Sequence, residues 1–186
     1  MKTLLHICCA PCSIECIDAL RAEGQELTGF WYNPNIHPVT EYRARLTALK
    51  GYAEKVGLPL VGHDRYGLKD FVRAVTPNLD DRCGVCYEMR LDAAAAFAAQ
   101  NGFEAFTTTL LISPYQNHDL LIETGNRAAR DYGVQYLERD FRPRFRDSQR
   151  RARELELYMQ KYCGCVFSEE ERYHPKPSEL GCPESP

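Results

Sequence analysis

No run of about 18 apolar residues occurs in this chain, so nothing in it reads as a membrane-spanning helix. Positive charge is not in excess. Its 23 Lys and Arg stand against 26 Asp and Glu, a net charge of −3, and no global basic field announces a nucleic-acid partner. Internal repeats and low-complexity tracts are absent, which leaves an ordinary globular composition. The first residues, MKTLLHICCAPC, have too short an apolar stretch and too many cysteines for an export signal, and the expected location is the cytoplasm. At 186 residues, one domain with one sizeable core is expected.

What the chain does have is cysteine. Nine are present, an odd number, in a chain large enough not to need disulfide staples. Clustered cysteines in a cytosolic protein more often bind metal or carry out redox chemistry. Seven of them form three motifs: CCAPC (Cys8, Cys9, Cys12), CGVC (Cys83, Cys86) and CGC (Cys163, Cys165). Cys16 lies one turn beyond Cys12 and reads as core, and Cys182 lies in a Pro-rich tail.

Strand-like and helix-like stretches alternate along the chain. Thr3–Ile7, Leu27–Asn33, Leu58–His63, Glu104–Ile112 and Val134–Asp140 read as strands. Helices are expected from a Ser13 cap to about Arg21, over Val39–Val56, over GLKDFVRAV, through the alanine-rich segment ending at Gly102, over Asn117–Asp131, and from Ser148 to about Tyr162. This order predicts an α/β fold: a mainly parallel sheet with helices on both faces. Residues 1–173 form the expected metal-binding catalytic domain, and 174–186 the tail. Ligands of such sheets sit outside the carboxyl ends of the strands, which is where Cys8, Cys9 and Cys12 fall.

The pairs Cys9/Cys12 and Cys83/Cys86 have the spacing that places two thiolates on one tetrahedral ion or on corners of an iron–sulfur cluster. A structural zinc site uses the same spacing. Placement at a strand end and a helix start, together with the surplus Cys8, favours the redox cluster. For Cys8 and Cys9 to share one centre, the strand must end before them, because neighbours on a strand point to opposite faces. The CGC motif is too tight for a common zinc half-site. Gly164 can bend the chain towards a strained, redox-active disulfide, and two buried thiols acting as small hydrophobes is the other reading.

Other polar residues are less specific. Tyr32, Asn33, Asn35 and His37 can face the cleft at the end of the second strand. In SPYQNHD, Tyr115 and His118 can line a pocket, while Ser113 or Asn117 can simply cap a helix. Asp80 and Asp81 can supply a hard metal ligand or cap a helix. The segment Glu138–Glu154 carries seven arginines interleaved with Phe141 and Phe145. It suits RNA phosphates and bases, or equally a helix face laced with internal salt bridges.

Taken together and in order, LLHICCAPCS, RCGVCYEMRL, FTTTLLISPYQNHDLLI and YCGCVFS resemble the epoxyqueuosine reductases of the QueH type, over nearly the whole chain up to about Tyr173. The resemblance implies a fold similar to the nucleotide alpha-hydrolase (HUP-like) group. It implies reductive loss of the epoxide oxygen of epoxyqueuosine at the wobble position of a tRNA anticodon, with an electron donor it does not name. It implies a 4Fe-4S cluster on Cys8, Cys9, Cys83 and Cys86, in place of the Cys9/Cys12 pairing that spacing alone suggests. It also implies an adjacent mononuclear metal ion, expected to be iron. Cys12 is then left for that ion, with Asp81 as a candidate partner. The redox disulfide would be Cys163–Cys165. Tyr115, His118 or a bound water is expected to supply protons. The rival classes are a zinc-stabilised RNA-binding module, which has no use for CGC, and a metal-free thiol oxidoreductase, which leaves CCAPC unexplained.

Overall fold

The computed structural model describes residues 1–174, so Cys182 and all but the first residue of the expected tail lie outside the described residues. In chain order the elements are β1 (Lys2–His6), α1 (Ala10–Ala22), β2 (Glu26–Trp31), α2 (Val39–Lys55), β3 (Leu60–Gly62), α3 (Leu68–Val75), α4 (Arg82–Gln100), β4 (Ala105–Thr108), α5 (His118–Tyr132), β5 (Gln135–Tyr136), α6 (Phe145–Glu154) and α7 (Val166–Tyr173). The five strands form one parallel sheet in the order β3-β2-β1-β4-β5, with Leu4 of β1 opposite Thr28 on one side and Phe106 on the other. The expected α/β architecture is therefore present. Among the described residues no helix is long and apolar enough to cross a membrane.

This strand order decides where a ligand can sit. The chain steps outwards from β1 to β3, then returns across the sheet to β4 and continues the other way. Right-handed crossovers in opposite directions put α1 and α2 on one face and α4 and α5 on the other. α1 packs on α2 and α6, and α4 packs on α5 and touches β1 and β4. The crevice opens where the direction reverses, at the carboxyl ends of β1 and β4. Both strands are buried on both faces, with Leu4, Leu5 and Phe106 fully enclosed, as central parallel strands must be. Ala94, Ala95 and Ala98 are buried on α4, and their small side chains let that helix lie close to the sheet.

Several expected boundaries move, each for a local reason. α1 begins at Ala10 rather than after Ser13: Cys9 takes the extended N-cap conformation and a proline stands in the first turn, while Ser13 Oγ donates instead to the Ala10 carbonyl at 2.8 Å. β4 stops at Thr108, whose hydroxyl accepts from Leu110 N–H at 3.1 Å and turns the chain into a 3-10 turn over Thr109–Ile112. β5 is an edge strand of two residues rather than the seven expected. The helix expected from Ser148 to Tyr162 instead starts at Phe145 and ends at Glu154. Its end is a left-handed turn at Glu156 (φ 53°), with Leu157 N–H bonded back to the Ala152 carbonyl at 3.0 Å. The stop is built on a non-glycine residue, so no glycine marks it in the sequence. α7 was not expected.

Where α5 meets β5, Gly125 is required by space. A Cβ there would stand 2.2 Å from Cε1 of the buried Tyr136 ring. Gly125→Ala is expected to destabilise the chain by about 1–3 kcal/mol despite its better helix propensity, read as a lowered urea midpoint with an unchanged slope.

Candidate functional site

β1 ends at His6, and the next residues leave the sheet. Cys8 N–H donates to Thr109 Oγ1 at 3.2 Å instead of to a strand carbonyl. Freed from strand alternation, Cys8, Cys9 and Cys12 turn their sulfurs towards one point, with all three Sγ atoms within 4.8 Å of one another. Among the described residues no other group of three or more His, Cys, Asp or Glu side chains gathers its ligand atoms this closely. Cys8 Sγ and Cys9 Sγ are 3.8 Å apart. Two thiolates on a tetrahedral ion with metal–sulfur bonds of about 2.3 Å lie about that far apart, so the donor set fits a thiolate-bound metal. Gln160 Nε2 donates to Cys9 Sγ at 3.0 Å and to Cys12 Sγ at 3.4 Å. Hydrogen bonds from Cys12 and then Cys9 hold the Cys8 thiol well below its ordinary value. The same sharing with Cys8 raises Cys12, and burial raises Cys9. Cys8, the thiol that is lowered, stands just before the N-terminus of α1, where the helix dipole favours the thiolate form.

Cys83 and Cys86 lie on the first turns of α4. Cys83 is exposed, and Cys86 is buried with its thiol pushed up to about 12 by that burial. Asp81 is exposed at the N-cap position of α4 but makes no side-chain cap bond, and Asp80 is exposed in the turn before it. The structure does not bring Cys83, Cys86 or Asp81 into the three-thiol group.

The CGC turn divides its two cysteines. Gly164 has φ +140°, a conformation that L side chains rarely adopt, and its carbonyl accepts from His37 N–H at 2.7 Å. Cys163 faces outwards and receives Gln116 Nε2 at 3.6 Å. Cys165 is buried beside Phe71, Val75 and Cys86, and as the N-cap of α7 it accepts from Ser168 N–H at 3.3 Å. Both are free thiols here, as are the other six described cysteines, Cys16 among them in the core.

Two buried arginines hold these pieces together; Arg45 lies outside every motif, and Arg90 lies within RCGVCYEMRL, where the cysteines carry the signal. Arg45 is 2% exposed. Its Nε donates to Glu41 Oε1 at 2.6 Å, and its two Nη groups donate to the carbonyls of Cys163 (2.9 Å) and Tyr162 (3.0 Å). Arg90 is 1% exposed. It donates to Asn33 Oδ1 at 2.9 Å, to His6 Nε2 at 3.4 Å and to Cys86 Sγ at 3.9 Å. Helical spacing is the one signal the chain offers for them: Arg45 follows Glu41 by four residues, and Arg90 follows Cys86 by four and Cys83 by seven. Burial, and then the Arg90 charge, lower the His6 imidazole to about 3, so it is neutral. Asn33, Asn35 and His37, which the sequence allows in the cleft, are instead buried, and Asn33 and His37 act as supports. Asn33 Nδ2 holds the Ile7 carbonyl at 2.9 Å, and His37 Nδ1 accepts from Val166 N–H at 3.3 Å. The Tyr32 carbonyl lies 3.2 Å from His6 Nε2 and competes with Arg90 for that one nitrogen.

Above the thiols opens a cavity of about 940 Å³, whose wall includes Cys8, Cys12, Cys163 and Arg90. Its rim carries Tyr115, Phe145, Arg146, Arg153, Lys161 and Arg172. The arginine-rich segment splits between its two readings. Arg139, Arg142, Arg144, Arg150 and Arg151 are in salt bridges. Arg146 and Arg153 have no acidic partner among the described residues and line the cavity. Tyr115 is 83% exposed and stands edge-on to Phe145. His118 does not line the cavity. It opens α5, capped by Asn117, with Nε2 3.8 Å from Asp140 Oδ1.

Comparison with known proteins agrees with this geometry. The family model described as Epoxyqueuosine reductase QueH matches residues 3–171. Curated relatives named Epoxyqueuosine reductase QueH include one from Dehalococcoides mccartyi, 39% identical over 172 residues that cover 92% of this chain and 94% of the relative. One from Thermotoga maritima is 35% identical over 182 residues, covering 91% of each. Among solved structures, one described as a predicted subunit of tRNA methyltransferase from Methanocaldococcus jannaschii is similar in fold, with a TM-score of 0.52 at 12% identity, covering 82% of this chain and 76% of its own.

The Arg45–Glu41 pair is buried and positions the CGC turn. Glu41→Gln leaves the guanidinium without its anion and is expected to cost about 3–5 kcal/mol in urea unfolding. A loss under about 1 kcal/mol would mean that the two carbonyls suffice to hold Arg45.

Proposed function

This chain belongs to the epoxyqueuosine reductase QueH family of oxidoreductases, and from that premise we propose that it removes the epoxide oxygen of epoxyqueuosine at the wobble position of a tRNA anticodon, leaving an alkene and water. The observation that carries the reading is the meeting of three convergent thiols with a cavity whose rim carries the rings of Tyr115 and Phe145 and cations that have no acidic partner among the described residues.

The conversion consumes two electrons and two protons. Cys8, Cys9, Cys83 and Cys86 are the residues proposed to hold a 4Fe-4S cluster, and Cys12 with Asp81 an adjacent iron. When bound, these groups supply single electrons and a Lewis acid. The chain's own residues do the rest. Thr109 Oγ1 accepts from the Cys8 N–H at 3.2 Å and meets the Cys8 sulfur at 3.5 Å, and Gln160 Nε2 donates to Cys9 Sγ at 3.0 Å and Cys12 Sγ at 3.4 Å. Oxidation of Cys163 and Cys165 to a disulfide releases two electrons and two protons, the count the reaction consumes; closure would require the turn at Gly164 to swing Cys165 out of its place beside Phe71 and Val75. Tyr115 Oη, at the cavity mouth, is proposed as a proton source, while His118 is turned towards Asp140. The target nucleoside must leave the anticodon stack to enter. Tyr115 and Phe145 offer rings for a splayed base, and Arg146, Arg153, Lys161 and Arg172 face its phosphates.

Anaerobically purified protein is expected to carry about four to five irons and about four sulfides per chain, with absorbance that bleaches on reduction. One zinc without sulfide would remove the redox centre. Cys163→Ser is expected to abolish turnover on epoxyqueuosine-containing tRNA while the absorbance stays intact. Loss of the absorbance would make Cys163 a ligand instead. Replacing Arg146 and Arg153 together by Ala is expected to weaken tRNA binding and to reduce the log–log salt slope by about 1.5, measured by filter binding from low to high salt.

A further inference from the structure

Arg90 is buried, lines the cavity, and has no part in the chemistry assigned above. Its partners are unusual for a buried cation. They are a side-chain amide (Asn33), an imidazole (His6) and a sulfur (Cys86). No carboxylate pairs with it among the described residues. The other buried arginine, Arg45, has Glu41 at 2.6 Å. A guanidinium taken out of water without an anion is strongly destabilising, and such groups persist where an anion is supplied. The groups within reach that can become anions, by giving up a thiol proton to a metal, are sulfurs. Arg90 touches Cys86 and shares the cavity wall with Cys8 and Cys163. Its three contacts also run in three directions, to the end of β1, to the loop after β2 and along α4, which suits the planar fork of a guanidinium.

We propose that Arg90 is the buried counter-charge of the thiolate centre, a positioning residue that ties Cys86 on α4 to the end of β1 and the loop after β2 and neutralises the negative charge that metal-bound thiolates bring to the cavity floor. This rests on the metal-centre reading above. The consequence is twofold. The charge strengthens binding of a thiolate-held metal. It also favours the reduced, more negative state of an iron–sulfur centre, because net charge around a cluster sets its potential.

The test compares the full-length protein with Arg90→Gln, which keeps donors but loses the charge, and Arg90→Lys, which keeps the charge. Cobalt(II) titration of metal-stripped protein reads thiolate affinity through the sulfur-to-cobalt absorption. A spin-resonance titration of the iron-loaded protein reads the midpoint potential. Arg90→Gln is expected to weaken cobalt binding by about 10- to 100-fold and to lower the midpoint, with Arg90→Lys restoring most of both. Circular dichroism secures folding. If Arg90→Gln does not fold, Arg90→Met, a similar volume with no polar needs, takes its place. Cobalt affinity within about threefold of the parent and an unmoved midpoint would overturn the proposal and leave Arg90 a core hydrogen-bonding residue. Equal losses in the Lys and Gln variants would overturn it too, since charge would not be the cause. Failure of the parent itself to bind any metal would instead overturn the metal-centre reading, and this proposal with it.

Discussion

A guanidinium removed from water must be met on every donor, and two of them, Arg45 and Arg90, lie under the floor of the cavity. Meeting their demands dictates much of the local architecture. Arg45, on α2, takes the carbonyls of Tyr162 and Cys163 from a segment more than a hundred residues away, so the CGC turn sits where α2 puts it. Arg90, on α4, takes groups from β1 and from the loop after β2. The thiols are thus carried on separate segments that these two side chains cross-link. They form a rigid set because the alternative, a buried cation with an open donor, is energetically worse.

The sheet supplies the place and the loops supply the chemistry. An open parallel sheet leaves a crevice where the strand order reverses, and a great variety of ligands is bound there in α/β folds. In this chain the loop after β1 presents sulfur to that crevice. The likeness to a solved structure at 12% identity speaks only for the shared scaffold. The family match over residues 3–171 is what attaches the reductase chemistry to it. The distribution of charge fits the same picture. In a chain with a net charge of −3, the cavity mouth carries four cations, Arg146, Arg153, Lys161 and Arg172, that have no acidic partner among the described residues, where an anionic polymer would have to approach.

The alternation of strands and helices, the parallel sheet and the location of CCAPC at its carboxyl edge are all legible in the order of residues, because hydrophobic periodicity and helix-end residues are local properties. Asn117 as the cap of α5 and the bend at Gly164 are legible for the same reason. The end of α6 is not, because a left-handed Glu156 does the work usually given to glycine. The start of α1 at Ala10 is hidden as well, because Cys9 holds the cap position through backbone geometry alone, with no side-chain bond to announce it.

The cysteine inventory, the spacing of its three motifs and the family they point to were determined by the sequence itself, since each is a matter of residue type and order. Which arginines remain free was decided only by the fold. Arg139, Arg144 and Arg151 find Glu23, Glu15 and Asp18 far away in the chain, and Arg146 and Arg153 find no acidic partner among the described residues. The fold alone also separated Cys163 at the cavity from Cys165 in the core, turned His118 away, and buried Arg90 among sulfurs. Each of these depends on contacts between residues remote in sequence, and periodicity and motif spacing report only on neighbours.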